Sequence, residues 1–233
     1  MLRPNLSAVL FDKDGTLFDF SASWTGWVDQ VLTDLSAGDR ARKTALAGAM
    51  QFDLQAGRFN PSSPVIAGTL DDSADLLLPH LPHLPRAELI AYLMASATRA
   101  EMVPPVPLRP LLNTLTGQGL TLGVATNDGA APALAHLTRA GVRDCFAHVL
   151  GYDSGYTPKP APDMLLGFAD RVGVAPETVV MVGDSTHDLI AGRAAGMMTV
   201  GVLTGMAESA TLEPHADLIL PDIGHLPGAL VRV

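Results

Sequence analysis

The sequence is poor in cysteine and in charge. It has one cysteine, Cys145, in 233 residues, and 17% of its residues are charged. A single cysteine excludes an intramolecular disulfide and a cysteine-based metal cluster, which fits a reducing compartment, and we expect a cytoplasmic protein. No apolar run approaches the about 18 residues of a membrane helix, and the run at residues 8–11 is too short for a signal-peptide core. We therefore expect no membrane partner.

Basic residues are also scarce. The 15 Lys and Arg stand against 24 Asp and Glu, for a formal net charge of −9. Nucleic-acid binding needs clustered basic side chains, so this balance predicts no nucleic-acid partner. The 48% of hydrophobic residues exclude a disordered chain. The length suits one large domain, or a core with a smaller insertion.

Short apolar runs that end in small or polar residues predict buried strands. Because these runs are continuous rather than alternating, they suit a parallel sheet covered on both faces. Helix-like segments lie between them from about residue 107 onward, which predicts a doubly wound α/β fold with its site at the carboxyl ends of the strands. The runs are residues 8–11, 120–125, 148–150, 178–182, 199–203 and 218–220.

The segment of residues 18–103 has a different pattern. Apolar residues at helical spacing, such as Trp24, Trp27 and Val31, occur without a good strand run, so we predict an all-helical insertion. The proline-rich stretch of residues 104–107 marks the return to the α/β core. The predicted domains are therefore a core of residues 1–17 and 104–233 and an inserted domain of residues 18–103.

Two carboxylates follow the first predicted strand. Asp12 and Asp14 are separated by one residue, and Gly15 and Thr16 come next. A glycine permits a tight turn at the strand end, so carboxylates, backbone amides and a hydroxyl can converge there. The same pattern also starts ordinary turns and helix caps, and alone it leaves that alternative open.

A second acidic pair follows the predicted strand of residues 178–182. Asp184 stands at the strand end, and Asp188 lies one helical turn later on the same side. Carboxylates brought close together repel one another unless a cation holds them. The four aspartates together therefore suggest a hard divalent ion, for which Mg²⁺ is the natural choice.

Two further strand ends supply phosphate-binding chemistry. Thr126 and Asn127 follow the strand of residues 120–125, and Lys159 lies beyond that of residues 148–150. A hydroxyl, an amide and a cation suit phosphoryl oxygens. Individually, Thr126 and Asn127 could simply cap a helix, and Lys159 could be a solvated loop charge.

These four segments, in this order, resemble the haloacid dehalogenase-like hydrolase superfamily, and within it phosphatases similar to phosphoglycolate phosphatase. The matching motifs are Asp-x-Asp-Gly-Thr at residues 12–16, the strand-end Thr126, Lys159 before proline, and Gly-Asp-x-x-x-Asp at residues 183–188. The resemblance implies an α/β, Rossmann-like three-layer core with a mainly parallel sheet and an inserted all-helical cap. It covers nearly the whole chain.

The resemblance also implies a mechanism. Asp12 would attack phosphorus and form an aspartyl-phosphate, while Asp14 would protonate the leaving oxygen and later deprotonate the hydrolytic water. Mg²⁺ would be held by Asp12, the backbone carbonyl of Asp14, Asp184 and, directly or through water, Asp188.

The substrate would be a small phosphorylated metabolite, with phosphoglycolate as the first candidate. Its phosphoryl oxygens would be bound by Thr126, Lys159 and the backbone amides around Asp14, Asn127 and Thr16. Two alternatives remain open: a phosphohexomutase, which returns the phosphoryl group to a sugar, and a catalytically silent binding module. The oligomeric state cannot be predicted from the sequence.

One residue departs from the pattern of the superfamily. The residue between the two aspartates is usually apolar there, and this chain has Lys13. It could pair with a carboxylate at the edge of the site or only contact core helices, and we expect a structural role. Asp14 itself disfavours the dehalogenases, which lack an aspartate at that position.

Further candidates in the sequence are weaker. Arg58 could bind a substrate carboxylate or a second phosphate, although a surface role is the simpler interpretation. His80 and His83 flank Pro82, which breaks the helix that would align them as metal ligands, so we expect a loop. His187, inside the fourth motif, is expected to be a helix-cap or surface residue.

Overall fold

The computed structural model describes residues 6–230. Its main sheet has six strands in the order β5-β4-β1-β6-β7-β8, and every neighbouring pair is parallel. The strands are β1 (Ala8–Phe11), β2 (Phe52–Asp53), β3 (Arg58–Phe59), β4 (Thr121–Ala125), β5 (His148–Leu150), β6 (Val179–Gly183), β7 (Met198–Val202) and β8 (Leu218–Leu220). The predicted α/β fold with a mainly parallel sheet is confirmed, and each predicted run contains a strand within about one residue of its bounds.

Helices connect the strands and cover the sheet. The α-helices are α1 (Phe20–Ser36), α2 (Arg40–Ala49), α3 (Leu70–Leu77), α4 (Arg86–Arg99), α5 (Leu108–Gly117), α6 (Ala130–Arg139), α7 (Asp163–Val172), α8 (Thr186–Ala194), α9 (Ser209–Leu212) and α10 (Leu226–Leu230). Short 3₁₀ turns occupy Leu78–His80, Arg143–Cys145, Pro176–Thr178 and Ile223–His225.

Apolar residues cover both faces of the sheet. Successive residues of a strand point to opposite faces, so Val9 and Phe11 pack into one cluster with α5 and α10. Ala8 and Leu10 pack into a second cluster with α7 and α8 on the other face. Burial on both faces is the reason that these strands read as continuous apolar runs.

The strand register determines where the site lies. Phe11, at the end of β1, is the register partner of both Val124 on β4 and Val182 on β6. The residues that follow these three central strands therefore emerge side by side at one edge of the sheet. This edge carries the predicted aspartates and Thr126.

Residues 20–100 contain helices α1 to α4, which pack around a separate apolar cluster that includes Trp27, Leu46 and Leu89. The prediction of an all-helical insertion misses the short hairpin of β2 and β3. Asp53 accepts hydrogen bonds from the amides of Gln55 and Ala56, which shapes its turn. Strands of two residues are too short to produce an alternating pattern in the sequence.

The exact boundaries of the predicted domains stay predictions. Residues 1–5 and 231–233, which the sequence assigns to the core, lie outside the described residues. Within residues 6–230, every helix is too short or too polar to cross a bilayer.

Candidate active site

The first motif places Asp12 directly beyond β1. The Asp12 amide donates to the carbonyl of Val182 at 2.8 Å, which continues the β1–β6 ladder by one residue and fixes the backbone there. The Asp12 side chain is buried, and its Oδ1 accepts a hydrogen bond from Lys159 Nζ at 2.7 Å. The nucleophile predicted from the sequence is therefore held by a buried ammonium group.

Lys159 joins two of the predicted acids. Its Nζ also contacts Asp188 Oδ1 at 2.6 Å and the backbone carbonyl of Ala125 at 2.7 Å, so its three N–H bonds are all used. Burial alone would lower the pKa of Lys159, but the adjacent carboxylates of Asp12 and Asp188 raise it above its ordinary value. Lys159 is therefore charged, and it is a buried site residue rather than a solvated loop residue.

Asp188 is fixed by the start of α8. Its Oδ2 accepts from the amide of Ser185 at 3.1 Å and from the Ser185 hydroxyl at 2.7 Å, which forms a capping box. Because Oδ2 serves the helix cap, Oδ1 faces Lys159. The helix start thus orients the acid toward the sheet edge.

Two glycines confine Asp184, which follows β6. A Cβ atom on Gly15 or on Gly205 would collide with the Asp184 carboxylate, and Gly15 also has a positive φ of 81°. The hydroxyl of Thr16 lies 3.4 Å from Asp184 Oδ1. Thr16 is fully buried, and its side chain therefore contacts the carboxylate cluster.

The carboxylates of Asp12, Asp184 and Asp188 are buried with excess negative charge. Burial raises the pKa of Asp12 to about 7 despite the opposing effect of Lys159. Burial, together with Asp188 and Asp12, raises the pKa of Asp184 well above its usual value. One lysine cannot neutralise three acids.

This donor set fits a hard divalent cation. One oxygen from each of Asp12, Asp184 and Asp188 lies within 4.8 Å of the others, and among residues 6–230 no other group of His, Cys, Asp and Glu side chains meets this arrangement. Carboxylate oxygens are the ligands that Mg²⁺ prefers. His80 and His83 are not part of such a group.

Thr126 and Asn127 follow β4 and line the same pocket. The Thr126 hydroxyl accepts from the Asp128 amide at 3.0 Å. The Asn127 side chain accepts from the Lys159 amide at 3.0 Å and donates to the Lys159 carbonyl at 2.8 Å. It also donates to the carbonyl of Ala67 at 2.9 Å, so Asn127 positions the lysine loop and joins it to the insertion.

A second buried cation stands beside Asp14. Lys13 is fully buried, and its Nζ lies 3.0 Å from Asp14 Oδ1, 2.7 Å from Asp128 Oδ2 and 3.0 Å from His136 Nδ1. Of the two alternatives that the sequence left for Lys13, pairing with a carboxylate is the one observed. The Trp24 indole N–H donates to the same Asp14 oxygen at 2.8 Å.

The pocket lies between this sheet edge and the insertion. Its floor contains the aspartates, Thr126 and Lys159, and its roof is mostly apolar. The roof residues come from α1, the hairpin, the segment before α3 and the first residue of α3, and they include Phe20, Trp24, Trp27, Phe59, Ile66 and Leu70. Helical spacing in the sequence predicts Trp24 and Trp27 on a helix, but no motif marks any of the six as a pocket residue.

Two weaker candidates are placed differently from each other. His187 was expected to be a helix-cap or surface residue. In the structure it is half-buried and also lines the pocket. Arg58 is exposed and alternates with the buried Phe59 on β3, which directs the two side chains to opposite faces. Only Phe59 of this pair contributes to the pocket.

Comparison with known proteins agrees with this arrangement. A family model for haloacid dehalogenase-like hydrolases matches residues 6–196. The chain is 30% identical over 220 residues to the "Probable phosphatase IndB" of Dickeya dadantii, which covers 92% of this chain and 88% of that protein. It is also 30% identical over 221 residues to the phosphoglycolate phosphatase of Rhodospirillum rubrum, covering 94% and 88%.

A solved structure shares the fold at lower identity. The crystal structure of a "putative beta-phosphoglucomutase" from Thermotoga maritima matches with a TM-score of 0.67 and 21% identity, and covers 98% of this chain and all of that one. The resemblance inferred from the motifs is confirmed by the family match. The chain belongs to the haloacid dehalogenase-like hydrolase family.

Proposed function

We propose that the protein is a Mg²⁺-dependent phosphatase that hydrolyses a small phosphomonoester through an aspartyl-phosphate. The observation that carries the proposal is the buried group of Asp12, Asp184 and Asp188 with Lys159, at the carboxyl edge of the sheet. The full-length similarity to two proteins named as phosphatases supports it.

Asp12 is the proposed nucleophile. Its carboxylate attacks phosphorus in line, so one oxygen of Asp12 forms the new P–O bond while the bond to the leaving oxygen breaks. Asp14 delivers a proton to that leaving oxygen and then removes one from the water that hydrolyses the aspartyl-phosphate. Both carboxylates line the pocket, as this sequence of steps requires.

Asp12, Asp184 and Asp188 would hold Mg²⁺, and the backbone carbonyl of Asp14 completes the proposed set. When bound, the ion supplies positive charge to the carboxylates and to the phosphoryl oxygens. Thr16 and the two glycines around Asp184 keep that carboxylate in place.

The phosphoryl group is proposed to bind to Thr126 and Lys159, together with backbone amides around Asp14, Thr16 and Asn127. Hydroxyl and amide donors, together with the positive charge of Lys159, stabilise the charge that spreads over the phosphoryl oxygens in the transition state. Thr126, Lys159 and Asn127 all line the pocket, which supports this assignment.

Phosphoglycolate is the first substrate to test, because a phosphoglycolate phosphatase is among the full-length relatives. We propose that residues 18–103 form the cap that selects the leaving group and excludes water from the phosphoryl group. The roof residues that this segment contributes to the pocket support that role. The single cysteine supports a cytoplasmic location as part of the proposal.

A phosphohexomutase is the second candidate, and the similarity in fold to a "putative beta-phosphoglucomutase" is the observation in its favour. A mutase would return the phosphoryl group from Asp12 to a sugar hydroxyl instead of water. A coupled sugar-phosphate isomerisation assay that runs faster than phosphate release would favour it.

The deciding experiment measures phosphate release from p-nitrophenyl phosphate and phosphoglycolate by the full chain. Wild type is compared with Asp12→Asn, each with Mg²⁺ and with EDTA, and the exposed-acid variant Asp29→Asn is the matched control. Turnover that requires both Mg²⁺ and Asp12 supports the proposal. Mg²⁺ binding by folded protein without turnover on a broad phosphate panel would instead indicate a silent binding module.

A further inference from the structure

Lys13 is a fully buried cation at the sheet edge that the proposed reaction does not use. Its side chain has no exposed area, and its Nζ hydrogen-bonds to Asp128 and His136 and forms an ion pair with Asp14. Burying an ammonium group is costly, and a well-packed apolar residue at such a position is often equally stable or more so. A role in stability alone therefore does not explain a lysine here.

The surroundings of Lys13 hold its ammonium group in one place. Asp128 Oδ1 accepts from the Gly129 amide at 2.7 Å, which leaves Oδ2 for Lys13 at 2.7 Å. His136 Nε2 lies 2.8 Å from the carbonyl of Ala97 on α4 and must donate to it. Nδ1 is then unprotonated and accepts from Lys13.

His136 is a neutral member of this group. Burial, together with the nearby charge of Lys13, lowers the pKa of His136 to about 4. A neutral ring adds no charge beside the ammonium and supplies one acceptor. Lys13 thus has two hydrogen-bond acceptors, in Asp128 and His136, and the carboxylate of Asp14 as a further ion-pair partner.

The same group fixes Asp14 from two sides. On the core side, Lys13 Nζ lies 3.0 Å from Asp14 Oδ1. On the side of α1, the indole N–H of Trp24 donates a hydrogen bond to the same oxygen at 2.8 Å. The Lys13 ammonium also lies 5.1 Å from the centre of the Trp24 ring. Both contacts use Oδ1, which leaves Oδ2 as the oxygen available to a substrate.

We propose that Lys13 is a positioning residue: held by Asp128 and His136, and together with Trp24 of the insertion, it orients the Asp14 carboxyl group, which donates its proton to the leaving oxygen and regains one from the hydrolytic water. This inference rests on the proposed function. Proton transfer requires donor and acceptor within hydrogen-bond reach, and a displacement of about 1 Å can cost about 10²-fold in rate. The Lys13 ammonium itself contacts no reacting atom in this assignment.

The test compares two substrates that differ in their need for a proton. Phenyl phosphate has a basic leaving group and needs protonation, whereas p-nitrophenyl phosphate, of similar shape, releases a stable anion. For Lys13→Met we expect kcat/KM to fall about 100-fold with phenyl phosphate, with little change in KM. With p-nitrophenyl phosphate the fall should be about tenfold or smaller. Equal losses with both substrates would overturn the proposal.

A double-mutant cycle checks that Lys13 acts through Asp14. In an Asp14→Asn background, Lys13→Met should cause almost no further loss with phenyl phosphate, because the carboxyl group that it positions is gone. A full additional loss in that background would contradict the role. Lys43→Met, which removes the half-buried lysine of α2 that pairs with Asp29 away from the pocket, is the charge-matched control.

Folding of the variant is verified by circular dichroism and thermal unfolding. Lys13→Met leaves Asp128 buried without its cation, so Lys13→Met/Asp128→Asn removes both charges and replaces the single variant if that does not fold. Wild-type protein without turnover would overturn the proposed function and this role together. Equal losses in variants of an active enzyme overturn this role alone.

Discussion

Two buried lysines contact the two aspartates of the first motif, Lys159 at Asp12 and Lys13 at Asp14, and their surroundings differ in the balance of charge. At what we term the nucleophile centre, Lys159 pairs with Asp12 and Asp188, and Asp184 lies beside them. At what we term the acid/base centre, defined by Lys13, Asp14, Asp128, His136 and Trp24, the ammonium group is surrounded by two carboxylates, a neutral ring and an indole.

The difference lies in the balance of charge. The nucleophile centre has three acids and one lysine, all buried, and the pKa of Asp12 and of Asp184 is raised as a result. The acid/base centre has two acids for its lysine, and Trp24 donates a further hydrogen bond to Asp14. The excess of carboxyl groups over lysine at the nucleophile centre favours binding of a further cation. At the acid/base centre, hydrogen bonds and ion pairs within the group already satisfy the charged side chains. We infer that the nucleophile centre binds the metal ion and that the acid/base centre orients Asp14.

The largest effect should come from removing Lys159. We expect Lys159→Met to lower kcat/KM by roughly 10²–10³-fold with both phenyl and p-nitrophenyl phosphate, because the lost charge is the one proposed to stabilise the phosphoryl group itself. Equal loss with the two substrates would distinguish this lysine from Lys13. A loss confined to phenyl phosphate would contradict the comparison, and Lys43→Met again serves as control.

The next effect concerns Asp184, a proposed metal ligand. In Gly205→Ala the new methyl group collides with the Asp184 carboxylate, so we expect Mg²⁺ affinity to fall roughly 10–100-fold by isothermal titration calorimetry. Gly26→Ala on α1, where a Cβ meets no atom within 4 Å, is the matched control. Unchanged affinity in Gly205→Ala would show that Asp184 is not a ligand.

A stability effect should come from His136 at the acid/base centre. Its pKa of about 4 lies below the ordinary 6.5, so between these values the unfolded chain binds a proton that the folded protein does not. The free energy of unfolding should therefore decrease by up to roughly 3 kcal/mol as the pH falls from 6.5 to 4. In His136→Gln this part of the pH dependence should vanish in urea titrations, and in the exposed-residue control His83→Gln it should persist.

The smallest expected effect is the pH dependence of metal binding at the nucleophile centre. Asp12, with a pKa of about 7, and Asp184 must lose protons before they bind a cation. Mg²⁺ affinity should therefore rise as pH rises through this range, by up to about tenfold per unit for one proton. Calorimetry in two buffers of different ionisation enthalpy measures the proton release, and an affinity independent of pH would contradict the shifted pKa values.

Much of the nucleophile centre was predictable because its residues follow strands directly. Asp12, Thr126 and Asp184 come at or just after the ends of β1, β4 and β6, and adjacent parallel strands bring their carboxyl ends together. Lys159 lies in a loop, so its motif predicts membership of the site but not its place. The structure shows that place, between Asp12 and Asp188.

The acid/base centre was not predictable in the same way. Trp24 belongs to the insertion and His136 to the last turn of α6, and neither stands in a motif. The only signal in the sequence was Lys13, a cation directly after a buried strand, which needs acceptors if it is to be buried. The sequence could not say which side chains supply them.

The sequence by itself determined the strands, their parallel arrangement and the acids at the strand ends, because hydrophobic periodicity and local motifs are properties of neighbouring residues. Only the tertiary structure decided the pairing of each lysine, the fully used side chain of Asn127 and the apolar roof of the pocket. These features join residues that are distant along the chain, such as Lys13 and His136, which are 123 positions apart. Their contacts depend on how the helices pack against the sheet, which local patterns do not encode.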